Sequence, residues 1–339
     1  MIKFVGNKDP DIKRLEELLQ ESSLTNQYTN DGPVKHTLEH RLEEILCLPP
    51  TKRVVCFNNG TSALHALMFY CEKTRGPQHW VTPAFTFPSA VVGGAFKVEI
   101  LDIDPATYTL PMDESLLEEY GGVILTNLFG SYVDLTAWEN FCKKTNKILI
   151  FDNASSPLST CEGSNICNFG DYAFSSLHHT KLLGFGEGGF AVVPANQYKD
   201  VNAINNFGFD NNRKYDKRSS NFKMPDTAAA FILSHLETFS LEDHLQVQDR
   251  IQQASGLTSK LFNWKPGTVY GNLPLVLPSP VSVESFKESN VEVKKYYMPL
   301  LDLPASQKLY AHILNLPLHG KLTAKEVDDL VLTVESLPG

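Results

Sequence analysis

Short apolar runs alternate with helical patterns over roughly the first 195 residues of the chain. Seven runs, at 53–57, 80–85, 98–103, 122–128, 147–152, 172–177 and 189–193, are rich in β-branched and aromatic residues and too brief for buried helices, so they predict strands. Between them, 62–72 and 135–144 carry helical periodicity, with Asp134 ahead of the second as its N-cap. Strands that alternate with helices predict an α/β fold, a large domain whose mostly parallel seven-stranded sheet lies between helices.

After about residue 195 the pattern changes. Residues 224–262 read as a long connecting helix region rich in Ala, Leu and Gln, leaving the sheet domain rather than adding a crossover unit to it. Residues 263–339 open on a Pro/Gly-rich stretch and end in an amphipathic helix at 323–337, where Thr323 and Glu326 have the spacing of a capping box. The expected organisation is a large domain over 1–223 with an N-terminal helical segment, the helical connection over 224–262, and a smaller C-terminal α+β domain over 263–339.

Composition narrows the class. Of 339 residues, 42% are hydrophobic and 20% charged, which fits a globular chain and excludes disorder, collagen and coiled coil. The net charge of −9 and the lack of a basic cluster argue against nucleic acid as a partner. The N-terminus has no apolar leader core and no window approaches eighteen uninterrupted apolar residues, so no membrane partner and a cytoplasmic location are expected. The six cysteines have neither C-x-x-C nor zinc-ligand spacing; they read as reduced thiols, and no metal is expected.

Four segments carry residues suited to chemistry, each with a plainer reading beside it. Asn59-Gly60-Thr61-Ser62 follows a strand and opens a helix, offering free N–H groups, two hydroxyls and the positive dipole end to a phosphate, or simply a capped turn. Lys181, ahead of Leu182 and Leu183, reads as a desolvated amine able to form a Schiff base, or as a surface lysine. Asp152 ends an apolar strand and reads either as a turn residue or as the partner of a ligand cation such as a protonated pyridine nitrogen. Phe87 fits stacking on a planar heteroaromatic ring, or core packing. Gly184-Phe185-Gly186-Glu187-Gly188-Gly189 matches the dinucleotide fingerprint in form only, because it runs on into Phe190-Ala191-Val192-Val193, which is strand-like rather than helical.

Taken together, Asn59-Gly60-Thr61-Ser62-Ala63-Leu64, Pro83-Ala84-Phe85-Thr86-Phe87, Asp152-Asn153-Ala154, Ser176-Leu177-His178-His179-Thr180-Lys181 and Gly186-Glu187-Gly188-Gly189 resemble the signatures of the DegT/StrS-type sugar aminotransferases, of the fold type I superfamily, along almost the whole chain. The resemblance implies pyridoxal 5′-phosphate (PLP) as cofactor, covalently held by Lys181, with Asp152 on its pyridine nitrogen, Thr61, Ser62 and Ser176 on its phosphate and Phe87 on its ring. Ser155 stands where the family usually has Gln or His facing the phenolic oxygen. Asn221 implies a further phosphate contact given to a partner subunit, hence a homodimer with shared active sites. His178 with Gly186-Glu187-Gly188-Gly189 resembles the members that aminate C4. The implied reaction moves an amine from L-glutamate to a nucleoside-diphosphate 4-keto-6-deoxy sugar, giving a 4-amino-4,6-dideoxy sugar; amination of a 3-keto sugar and a non-catalytic sensor on the same fold are the alternatives. His178, His179 and His319 stand as substrate contacts, with structural roles as the other reading.

Overall fold

The computed structural model describes residues 1–253 and 260–335. Helices α1 (Ile12–Leu18), α2 (Gln20–Thr25) and α3 (Pro33–Ile45) precede the first strand. The large sheet is built from β1 (Lys52–Phe57), β2 (His79–Pro83), β3 (Lys97–Leu101), β4 (Gly122–Thr126), β5 (Ile148–Asp152), β6 (Tyr172–Ser176) and β7 (Gly189–Pro194). Their spatial order is β1-β7-β6-β5-β4-β2-β3; β7 runs antiparallel to both its neighbours and the other pairings are parallel. Helices α4 (Gly60–Arg75), α5 (Leu135–Lys144) and α6 (Tyr198–Ile204) complete this part of the chain.

Apart from the half-exposed edge strand β3, both faces of the sheet are buried, which explains the near-continuous apolar strands. Val54, Val123, Leu125, Leu149, Phe151 and Val192 enter one core together with α3 and α5, whereas Val55, Ile124, Ile150, Phe174, Ala191 and Val193 enter the opposite core with α4. Asp134 caps α5 by accepting from the Ala137 N–H at 3.0 Å. Strands β2, β3 and β4 stop two residues short of the apolar runs that predict them. The reason is packing: Phe85, Ile103 and Leu128 are apolar because they join the core of the C-terminal part.

The segment 224–262 forms two helices, α7 (Asp226–Thr238) and α8 (Leu241–Gln253), separated by Phe239 and Ser240; the part of the expected helix at 254–259 lies outside the described residues. The C-terminal part pairs β8 (Leu273–Val276) with antiparallel β9 (Ile313–Leu316) and adds α9 (Pro304–His312) and α10 (Ala324–Glu335). Thr323 and Glu326 close the expected reciprocal cap on α10, at 2.9 and 3.3 Å; residues 336–337 of the predicted helix lie outside the described range. All six cysteines are free, four of them buried. Among the described residues no helix is long and apolar enough to cross a membrane, and no group of three or more His, Cys, Asp or Glu could hold a metal.

Candidate active site

Parallel strands leave their carboxyl ends on one side, and the site lies there. A cavity of about 820 Å³ is floored by the ends of β4, β5 and β6 and walled by the start of α4, the C-terminal part and the N-terminal segment Phe4 to Lys8. Thr61, Ser62, Phe87, Asp152, Ser155 and Ser176 line it, as do His178, Lys181 and His319. His179 and Asn221 do not.

The turn from β1 into α4 sets out anion-binding groups. Asn59 accepts the Ser62 N–H at 2.8 Å, while the N–H groups of Gly60 and Thr61 have no partner among the described residues. Thr61 Oγ1 lies 3.3 Å from Ser89 Oγ, and Ser176 closes in from β6. This approach requires glycine at the start of β7: a Cβ on Gly189 would meet the Asn59 carbonyl carbon at 2.3 Å and Gly60 N at 2.4 Å. Gly184, Gly188 and Gly189 therefore serve close chain passage, whereas Gly186 holds a φ of 64° in open space. They lead into a strand, as the sequence indicates, and not into a nucleotide-binding helix.

Asp152 is buried at the tip of β5. Its Oδ1 accepts the Ala154 N–H at 2.8 Å; among the described residues Oδ2 has only Thr126 Oγ1 at 3.5 Å, and that hydroxyl is 2.5 Å from Thr86 Oγ1. Burial raises the carboxyl pKa to about 6, against the opposing pull of the Ala154 N–H, the Lys181 charge and Thr126. Burial also lowers the pKa of Lys181, and the Asp152 charge only partly restores it. Lys181 Nζ makes no hydrogen bond or ion pair among the described residues, so a free amine with a depressed pKa faces a buried carboxylate that lacks a close cation.

The remaining side chains frame this pair. Phe87 stays 56% exposed at the cavity edge, its ring 6.5 Å from that of Tyr297 in edge contact. Tyr297 is held by stacking on Phe129 at 5.4 Å. His178 Nδ1 is 2.9 Å from Thr180 Oγ1 and its Nε2 is 3.6 Å from Glu187. His179 turns instead onto the ring of Phe185, 5.2 Å away. His319 Nε2 donates to the Lys3 carbonyl at 3.3 Å, and its buried Nδ1 is unpaired. Asn221 is exposed and accepts from Lys223 Nζ at 2.6 Å, outside the cavity of its own chain.

Lys8, Thr126 and Tyr297 also line the cavity, and no motif marks them. Thr126 had a signal of its own, inside the predicted core strand 122–128, and the folded strand ends on it; Lys8 and Tyr297 arrive from segments without periodicity.

The residues present fit PLP: a phosphate would meet the open start of α4, and a protonated ring nitrogen would supply the cation that Asp152 Oδ2 lacks. Comparison with known proteins agrees. Residues 9–270 match the DegT/DnrJ/EryC1/StrS aminotransferase family, a family of PLP-dependent transaminases. The dTDP-4-amino-4,6-dideoxy-D-glucose transaminase of Shigella dysenteriae is 24% identical over 99% of this chain and 100% of its own. The GDP-perosamine synthase of Caulobacter vibrioides is 22% identical over 84% of this chain and 86% of its own. A sugar aminotransferase from Micromonospora echinospora superposes with a TM-score of 0.82 over 99% of this chain and 100% of that one, at 17% identity, which shows the shared fold.

Proposed function

The chain belongs to the DegT/DnrJ/EryC1/StrS aminotransferase family, and on that premise we propose that it moves an amine from L-glutamate to C4 of a nucleoside-diphosphate 4-keto-6-deoxy sugar, leaving 2-oxoglutarate and a 4-amino-4,6-dideoxy sugar. The observation that carries the chemistry is the unpartnered, pKa-lowered Lys181 amine beside Asp152 in the cavity. Full-length similarity to a dTDP-4-amino-4,6-dideoxy-D-glucose transaminase supports the sugar nucleotide and C4.

PLP, when bound, supplies an aldehyde that carries the amine between the two half-reactions and a ring that takes up electron density as a substrate C–H proton leaves. Lys181 anchors it and afterwards moves that proton. Asp152 keeps the ring nitrogen protonated, because a cation beside the carboxylate favours its ionised form. Thr61, Ser62, Ser176 and the start of α4 bind the phosphate. Phe87 covers the ring, Ser155 faces its hydroxyl side, and His178 and His319 border the space left for the sugar.

The assembly we propose is a homodimer in which Asn221 serves the neighbouring site. Asn221 is exposed, and the same loop turns Phe207, Phe209 and Tyr215 outward. Six free thiols suit the reducing cytoplasm. The test is a panel of nucleotide-linked 4-keto and 3-keto sugars offered with L-glutamate, the amine position being read by NMR. An amine at C4 is expected; an amine at C3 would overturn the regiochemistry. A cofactor absorbance band that glutamate, glutamine and aspartate all leave unchanged would overturn aminotransfer itself.

A further inference from the structure

The loop that carries Lys181 is gripped from outside by two side chains. Its base is closed by main-chain bonds from Leu177 to Gly188 and from His179 to Gly186, each 2.8 Å. At its tip three carbonyls, of Lys181, Leu182 and Gly184, each accept a side-chain donor. Lys8 Nζ donates to the carbonyls of both Lys181 and Gly184, and His235 Nε2 donates to that of Leu182 at 2.8 Å.

Lys8 comes from a segment otherwise tied to the C-terminal part. Ile2 exchanges main-chain bonds with Asn290 and Glu292 at 2.7 and 2.9 Å, and the Phe4 N–H donates to the Glu292 carboxylate at 2.9 Å. The strap then crosses the cavity wall to the lysine loop. Lys8 makes no ion pair among the described residues, and burial with the nearby Lys321 charge lowers its pKa to about 7. An ammonium kept there without a carboxylate is costly unless its donors are used, and two of them hold the carbonyls on either side of the Lys181–Gly184 turn. His179 and His235 also feel this charge, which helps to keep both neutral.

We propose that Lys8 is a positioning residue for Lys181: by clamping two carbonyls of the loop, it fixes the reactive amine in its enclosed orientation beside Asp152. The proposal rests on Lys181 being the reactive amine. Lys181 is depressed because it is enclosed, so a loosened loop returns it towards the ordinary lysine range.

The test is competitive acetylation of the cofactor-free protein across pH, with the Lys181 peptide quantified by mass spectrometry, in native protein, Lys8→Met and Lys8→Arg. Lys8→Met is expected to fold, since it removes a buried charge. It should raise the Lys181 pKa by about one unit, read as a shift of its labelling profile to higher pH. Lys8→Arg, which keeps the cation and its donors, should restore the native profile. A folded Lys8→Met whose Lys181 titrates as in native protein would overturn the proposal, as would equal impairment in both variants, which would point to strap packing. Failure of Lys8→Met to fold would make Lys8 a structural tie and overturn it too. A native Lys181 that titrates like an ordinary surface lysine would instead overturn the reactive-lysine reading itself.

Discussion

Burial disfavours the charged form of both Asp152 and Lys181, and at Asp152 the consequence is measurable. With Asp152 raised from 3.8 to about 6 in the cofactor-free chain, the folded state binds the proton more tightly than the unfolded one. Stability is therefore lost as pH rises between those values, by about 3 kcal/mol at neutral pH. Asp152→Asn should make the cofactor-free protein more heat-stable than native at pH 7, with the gap closing near pH 4; equal melting curves at both pH values would contradict this account. In the loaded enzyme the same change should abolish most turnover while leaving cofactor bound, as activity and absorbance assays would record. Lys181→Ala should leave no residue for borohydride to trap the cofactor on, and a label found on another lysine by peptide mapping would displace it from its role. These residues were legible because each ends or follows an apolar strand run. Lys8 and Tyr297 were not: neither sits in a periodic segment, and only the folded chain brings them to the cavity.

At the scale of elements, the site depends on how closely β7 passes the start of α4. Gly189→Ala should push Asn59 and Gly60 aside, at a cost of about 1–3 kcal/mol for the overpacked contact. Cofactor affinity should fall with it, because the phosphate-binding N–H groups move. Urea unfolding and a cofactor titration test both; unchanged affinity would show that this turn does not bind phosphate. The strands were readable from sequence for a reason found in the sheet, since burial on both faces leaves continuous apolar runs. The ends of β2, β3 and β4 were overread because Phe85, Ile103 and Leu128 serve a second core. The C-terminal part was legible only in outline: its sheet has two short strands, and one contains Pro274.

For the whole molecule, acid titration sets buried groups against one another. His244 is buried with Nε2 on the Tyr270 carbonyl, and His235 is partly buried; burial lowers each to about 4. An unfolded chain takes up these protons below about pH 6.5 while the folded one resists, so the histidines make stability fall as pH drops from 6.5 to 4. Asp152 acts in the opposite sense and roughly offsets His244. The partly exposed His235, discounted to about 2 kcal/mol or less, tips the balance the same way as His244, and His65 and His319, which burial also lowers, add to it. Calorimetry on cofactor-free protein should find lower stability at pH 4 than at pH 6.5, and the reverse slope would show that Asp152 dominates. Sedimentation should find a dimer, and charged residues at Phe207 and Phe209 should shift it towards monomer; a native monomer would remove Asn221 from any shared site.

The one antiparallel strand of the large sheet has a further consequence, for how the chain is made. Among the described residues the one strand that β1 pairs with is β7, some 130 residues later, so a nascent chain emerging from the ribosome exposes an unpaired apolar edge, Val54-Val55-Cys56-Phe57, until nearly two hundred residues have been synthesised. Over that interval the segment is a natural client for a chaperone.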